Sequence, residues 1–162
     1  MEMWTYNDLT NWINQGCDPD VGLTVFGLVF AKSNLTELPP AISLLANLEF
    51  LDLSYNKLTH IPPYIGLLTK LKEVNLIGNN LTDLPPEMGN LVKLIYLDLI
   101  CNPFTDLPQE VLELINELYY NLNIPYTDYI NLRKANTKKV IEFYRSQQSL
   151  LKIREPVLEF DI

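Results

Sequence analysis

One sequence unit occurs four times in succession along this chain, at a constant period and with no gap between the copies. The copies are residues 24–46, 47–69, 70–92 and 93–115. A fixed period of about 20 to 29 residues is typical of one structural unit stacked on copies of itself, because a single unit cannot bury its apolar face alone. The sequence therefore predicts a solenoid.

Seven positions of each copy are apolar. Counted from the first apolar residue of each copy, they are positions 1, 4, 6, 11, 14, 18 and 21, and position 1 holds Val25, Leu48, Leu71 and Leu94. Every one of these positions is apolar in all four copies, whereas the chain as a whole is 48% apolar, so composition alone does not explain the pattern. We expect these side chains to form one core that continues through the stack.

Each copy changes its local period along its length. Positions 4 and 6 are apolar, and position 5 between them faces away from the core, as in Leu51-Asp52-Leu53. This alternation predicts a short strand with one buried face. Successive strands that run in the same direction must pair in parallel.

The return path of every copy begins with proline, whose fixed φ suits the first turn of a short helix. These prolines are Pro39, Pro62, Pro85 and Pro108. In the fourth copy, helical spacing of apolar residues predicts a longer helix through Val111, Leu114, Ile115 and Leu118.

Position 9 is polar in every copy and follows the strand where the chain turns inward. It holds Ser33, Asn56, Asn79 and Asn102. A polar side chain at such a turn must be hydrogen-bonded, and asparagine can satisfy backbone groups that leave the sheet. We therefore predict a buried structural ladder of these four residues.

The full pattern, L-x-x-L-x-L-x-x-N-x-L-x-x-L-P-x-x-I-x-x-L, resembles the leucine-rich repeat family from the first copy to the last. Its second half resembles the subclass found in Ras-suppressor and Scribble-type scaffolds, plant intracellular Ras-group proteins and Roco GTPases. The resemblance implies an α/β solenoid with a short curved parallel sheet on the concave side and short helical turns on the convex side. It also implies protein binding, with partners that vary among members.

An open solenoid exposes its core at both ends, so we expect helical caps around the repeats. The predicted segments are an N-terminal helical cap (1–23), four repeats (24–115), a degenerate fifth strand with a C-terminal helical cap (116–154) and a tail (155–162). The first cap is a helix over residues 6–15 carrying Leu9, Trp12 and Ile13, with Thr5 or Asn7 as its N-cap. The last segment places the fifth strand at Tyr119, Leu122 and Ile124, followed by a helix over residues 136–151.

Charge is divided unevenly along the chain. Residues 1–132 carry 5 basic and 16 acidic side chains, whereas residues 133–162 carry 7 basic and 4 acidic ones. The acidic body disfavours nucleic acid. The basic cluster of Arg133, Lys134, Lys138, Lys139 and Arg145 suits either an acidic partner, a membrane surface or, as we favour, a solvated helix face.

Cys17 and Cys101 form no disulfide framework, and the sequence contains neither a signal-peptide pattern nor an apolar run that could span a bilayer. We expect a monomeric cytoplasmic protein without integral membrane association.

Catalytic patterns are absent from the sequence. The only histidine, His60, occupies position 13, which is acidic in the other three copies, and no nucleotide-binding motif or metal-ligand set occurs. We therefore predict a non-enzymatic protein without a cofactor or metal.

The open face of the sheet carries aromatic and aliphatic residues around a polar row, the composition of a binding hot spot. The predicted partner-binding residues are Phe50, Asp52, Tyr55, Glu73, Asn75, Ile77, Tyr96, Asp98 and Ile100. Strand propensity would also favour several of them, and Phe26 and Val29 would then lie under the N-terminal cap.

The leading hypothesis is an adaptor or scaffold module that binds a peptide or small domain carrying basic residues. The alternative is a regulator that binds a signalling enzyme directly, such as a GTPase, kinase or phosphatase.

Overall fold

A computed structural model describes residues 2–99, 101–104 and 107–121. It contains five strands, three α-helices and three 3₁₀ turns in those residues. The strands are β1 (Glu2–Thr5), β2 (Val25–Val29), β3 (Phe50–Asp52), β4 (Glu73–Asn75) and β5 (Tyr96–Asp98). The helices are α1 (Tyr6–Asn14), α2 (Pro19–Gly22) and α3 (Gln109–Asn121), and the 3₁₀ turns are Pro40–Leu44, Pro63–Leu67 and Pro86–Asn90.

The strands form one sheet in the order β1-β2-β3-β4-β5, and every neighbouring pair is parallel. Between β2 and β5, equivalent positions of successive copies pair directly, so that Leu28, Leu51, Val74 and Leu97 lie side by side. The predicted parallel stacking is confirmed, and the molecule is an α/β solenoid.

The core follows the repeat. The side chains at the seven apolar positions are buried in all four copies, and none is more than 8% exposed. They belong to one continuous apolar cluster that also contains Trp4, Leu9, Trp12, Ile115 and Leu118. Each copy therefore buries its apolar face against its neighbours, as stacking requires.

The return paths are helical, as the prolines predict. Each 3₁₀ turn begins at the second proline of a Pro-Pro pair, where the missing N–H costs no helical hydrogen bond. In the fourth copy the chain instead forms α3, which has 13 residues. Within the described part of the chain, no helix has the length and apolar character that a membrane crossing needs.

The N-terminal segment contains a strand that the sequence analysis did not predict. β1 pairs with β2 so that Trp4 lies beside Leu28, an offset in sequence that is larger by one than the period of the repeat. The helix that follows is close to its predicted bounds, and Leu9 and Trp12 are buried. Of the two candidate N-caps, the structure uses Thr5.

The predicted C-terminal features lie largely outside the described residues. Tyr119, the first residue of the motif for a fifth strand, lies in α3, whose apolar spacing continues past the fourth repeat. Leu122, Ile124, the helix over residues 136–151, the basic cluster and the tail lie outside the described residues.

Candidate protein-binding surface

Two rows of side chains cross the strands on the face opposite the core, here called the concave face. They follow from the register, because positions 3 and 5 flank the buried position 4 of each strand. The first row is Met3, Gly27, Phe50, Glu73 and Tyr96, and the second row is Thr5, Val29, Asp52, Asn75 and Asp98.

Asp52 and Asn75 in the second row also stabilise the ends of their strands. Asp52 Oδ1 accepts a hydrogen bond from the Ser54 N–H at 2.9 Å, and Asn75 Oδ1 accepts one from the Ile77 N–H at 3.1 Å. Such turns satisfy backbone donors that the sheet leaves unpaired. Asp52 keeps its second carboxylate oxygen as an acceptor for a ligand, and Asn75 keeps its amide nitrogen as a donor.

Tyr96 and Asp98 form a hydrogen-bonded pair at the last described strand. The Tyr96 hydroxyl donates to Asp98 Oδ2 at 3.1 Å. Asp98 is only 8% exposed, less than expected for an open sheet position, whereas Tyr96 is 46% exposed. Burial, followed by the charges of Asp98, Glu73 and Asp52, raises the pKa of Tyr96. The phenol therefore stays protonated and remains a donor.

Position 8 has left-handed backbone geometry in all four copies. The φ angles are 56° at Lys32, 54° at Tyr55, 68° at Gly78 and 56° at Cys101. Gly78 leaves room for the Tyr55 ring, because a Cβ at Gly78 would lie 2.8 Å from Tyr55 Cδ1. On the other side, Lys32 Nζ lies 5.6 Å from the centroid of that ring. Tyr55 is therefore held between two neighbouring copies although it is 56% exposed.

The remaining predicted contact residues differ in exposure. Phe50 and Ile77 are half-buried, and Glu73 is exposed. The Glu73 carboxylate makes no hydrogen bond or ion pair among the described residues, whereas nearby Glu49 is paired with Lys72 at 2.7 Å. Ile100 lies outside the described residues.

The position 9 asparagines form hydrogen bonds that link the copies. Asn56 Oδ1 accepts from the N–H groups of Ser33 and Leu35, both at 3.0 Å, and its Nδ2 donates to Phe30 O at 2.7 Å and Leu53 O at 2.9 Å. Asn79 and Asn102 are buried and bond to equivalent backbone groups of their own and preceding copies.

Ser33 does not belong to this ladder, which corrects the prediction for the first copy. It is half-buried, and its hydroxyl reaches only Ala31 O, at 3.5 Å. The physical reason is the preceding segment, which enters α1 at Tyr6 and therefore offers no equivalent inward turn. The Tyr6 ring instead packs edge-on against Phe30, with 5.6 Å between centroids.

Other reactive side chains lie apart from the two rows. His60 is exposed and its Nδ1 lies 3.2 Å from Thr59 Oγ1. Cys17 and Cys101 are unpaired. Across residues 2–99, 101–104 and 107–121, no three His, Cys, Asp or Glu side chains are grouped in a way that would hold a metal ion.

A family model described as leucine-rich repeats in two copies matches residues 46–86. Residues 46–86 are leucine-rich repeats. The matched residues include the strands β3 and β4, Asn56 and Asn79, so the family pattern and the observed solenoid coincide there. Leucine-rich repeat domains generally mediate protein–protein interaction.

Three solved structures are similar to parts of the chain. A leucine-rich repeat protein of Leptospira interrogans is 24% identical over 68% of this chain and 38% of its own, with a TM-score of 0.37. The ectodomain of the receptor kinase SOBIR1 from Arabidopsis thaliana is 28% identical over 55% of this chain and 51% of its own, with a TM-score of 0.48. InlP of Listeria monocytogenes is 28% identical over 56% of this chain and 32% of its own, with a TM-score of 0.47.

The chain thus matches about a third to a half of the length of these structures. No curated protein matches it.

Proposed function

We propose that the protein is a non-catalytic interaction module, an adaptor or scaffold piece, that binds a peptide or small domain of a partner protein on the concave face. The observation that carries this proposal is the pair of exposed tyrosines, Tyr55 and Tyr96, which neighbouring residues hold in fixed positions beside a polar row. Aromatic anchors that are already ordered lose little conformational entropy on binding.

The polar row favours a partner with basic residues. Asp52, Glu73 and Asp98 all act on the Tyr96 hydroxyl, which means that their charges converge on one part of the face. Electrostatic complementarity of this kind contributes to specificity and to the rate of association.

The size of the face limits the partner. Five strands about 4.8 Å apart, with three to five residues each at about 3.3 Å per residue, offer roughly 300 Å² in projection. A standard interface buries about 800 Å² on each partner. A peptide or a small domain therefore fits the face better than a large globular protein.

The test is a double substitution of two aromatic residues in the first row, Phe50→Ala with Tyr96→Ala. We expect the variant to lose proteins that the wild-type chain captures, as measured by affinity purification and mass spectrometry. The matched control is Leu44→Ala with Leu67→Ala, which truncates two exposed apolar side chains of the 3₁₀ turns.

Thermal unfolding of both double variants separates loss of the surface from loss of the fold, since Phe50 is half-buried. If the Phe50/Tyr96 variant is folded and still captures the same proteins as the control, the concave face is not the binding surface.

A further inference from the structure

The concave face divides into an apolar half and an acidic half. Over strands β1 to β3, the two rows contain the apolar residues Met3, Gly27, Val29 and Phe50, together with Thr5 at the edge, whose hydroxyl is hydrogen-bonded to Asp8. Over strands β3 to β5 they contain Asp52, Glu73, Asn75, Asp98 and Tyr96. Neither row contains a lysine or an arginine. A ligand that complements the whole face must therefore change character along its length.

The apolar half is accessible. Met3 is 43% exposed and lies over Gly27, where a Cβ would collide with its sulfur atom. Val29 is 39% exposed, so the alternative in which the N-terminal segment covers this residue is wrong. Together with the half-buried Phe50 ring, these side chains form an apolar platform that is continuous because β1 adds Met3 to it.

Two carboxylates of the acidic half, those of Asp52 and Glu73, form no ion pair with a side chain of the described residues. Asp52 keeps one oxygen outside its turn, and Glu73 makes no ion pair among the described residues. The nearest lysine in sequence, Lys72, is paired with Glu49. The protonated Tyr96 hydroxyl adds no positive charge to compensate these carboxylates. Charge complementarity therefore favours a cationic side chain at this end.

The dimensions of the rows favour an extended ligand. The rows lie two positions apart along each strand, or about 7 Å, which is narrower than the roughly 10–12 Å diameter of an α-helix. The centres of the two halves lie on β2 and β4, two strand spacings or about 10 Å apart. In a polyproline II chain, side chains three positions apart project to the same side at a separation of about 9 Å.

We propose that the concave face binds an extended segment of a partner protein that crosses the strands, with an apolar side chain on the apolar half and an arginine or lysine three positions away on the acidic half. This inference rests on the proposed function and specifies its ligand. It predicts an order of subsites, since the apolar side chain lies toward β1 and the basic side chain lies toward β5.

The experiment selects random dodecapeptides displayed on phage against the full chain and three variants. On the wild type, we expect enrichment of peptides with an aliphatic or aromatic residue and an arginine or lysine three positions apart. Glu73→Lys reverses one charge on the acidic half without breaking a hydrogen bond, and should reduce recovery of those peptides at least tenfold while enriching acidic residues instead. Val29→Thr keeps the shape of the side chain and should weaken the apolar preference only.

Asp83→Lys is the matched control, because it makes the same change of charge at an exposed residue outside both rows. It should return the wild-type peptides. The inference is overturned by enrichment without a basic residue, by helical spacing of the enriched residues, by the absence of enrichment, or by equal recovery on the wild type and Glu73→Lys. In each case the proposed function still stands if Phe50→Ala with Tyr96→Ala abolishes capture of the natural partner.

Discussion

The amide of Asn79 satisfies backbone groups that the sheet leaves unpaired where the chain turns inward. It accepts from the Leu58 N–H at 3.1 Å and donates to Leu53 O at 2.9 Å and Leu76 O at 3.1 Å. Asn79→Ala leaves the buried Leu58 N–H without its acceptor and removes one of the two amide donors from Leu53 O and from Leu76 O, so we expect a loss of about 1–3 kcal/mol in the free energy of unfolding, measured in urea. Asn90→Ala, at an exposed asparagine of a 3₁₀ turn, is the control. Equal unfolding midpoints for the two variants would contradict a structural role for the ladder.

The structural role of a repeat position could be predicted where the side chains at that position share the same chemistry. It could not be predicted where the copies share only a backbone conformation. Asn56, Asn79 and Asn102 share an amide, and their common position indicates a common structural role. Position 8 shares only its left-handed geometry, because Lys32, Tyr55, Gly78 and Cys101 have no chemistry in common. The contact of Tyr55 with Gly78, which orders part of the candidate surface, was therefore not predictable from the sequence.

The N-terminus of α1 carries a reciprocal cap that makes the stability of this helix depend on pH. The Thr5 hydroxyl donates to Asp8 Oδ2 at 2.6 Å and the Thr5 N–H donates to it at 2.8 Å. These hydrogen bonds lower the pKa of Asp8 below its ordinary value. A lowered pKa in the folded state contributes stability above the unfolded-state pKa, and this contribution is lost as the pH falls through the folded-state pKa.

We therefore expect Asp8→Asn to flatten the decrease in unfolding free energy between about pH 5 and about pH 3. Urea titrations of the wild type and the variant at several pH values measure this slope. Asp83→Asn removes an exposed carboxylate that caps no helix and serves as the control. A slope for Asp8→Asn as steep as that of the wild type would show that the cap does not titrate with folding.

Elements that obey the period of the repeat were predictable, and β1 does not obey it. The strands β2 to β5 follow from the apolar positions 4 and 6 of each copy, and the 3₁₀ turns follow from the prolines. Glu2 pairs with Val25 in phase with that period, but from Met3 onward β1 pairs with β2 at an offset larger by one, and the nine-residue α1 follows it directly. The N-terminal segment therefore contributes a strand to the sheet as each repeat does, but it lacks the asparagine and the loop that identify a repeat. Pairing with β2 determines this strand, and a sequence pattern alone does not reveal it.

At the scale of the molecule, each copy is held by the same contacts on either side. Gly66 lets the next copy approach so closely that a Cβ would lie 2.8 Å from Glu87 Cβ, and Gly89 is placed in the same way, 2.8 Å from Glu110 Cβ. Asn79 and Asn102 likewise bond to equivalent groups one copy apart. The surfaces that join neighbouring copies are therefore interchangeable between the second, third and fourth copies.

This interchangeability predicts that a whole copy can be removed. Deletion of residues 70–92 joins the second copy to the fourth in the same phase, and Gly66 then faces Glu110 where it had faced Glu87. We expect a folded protein that unfolds cooperatively, with a smaller m-value in urea because less surface is buried. Deletion of residues 70–86 removes a shorter segment but breaks the period, so the apolar positions of the fourth copy no longer align with those of the second copy. We expect this variant to lose cooperative unfolding. If the two deletions behave alike, whether both fold or both unfold, stability does not derive from contacts between neighbouring copies in phase.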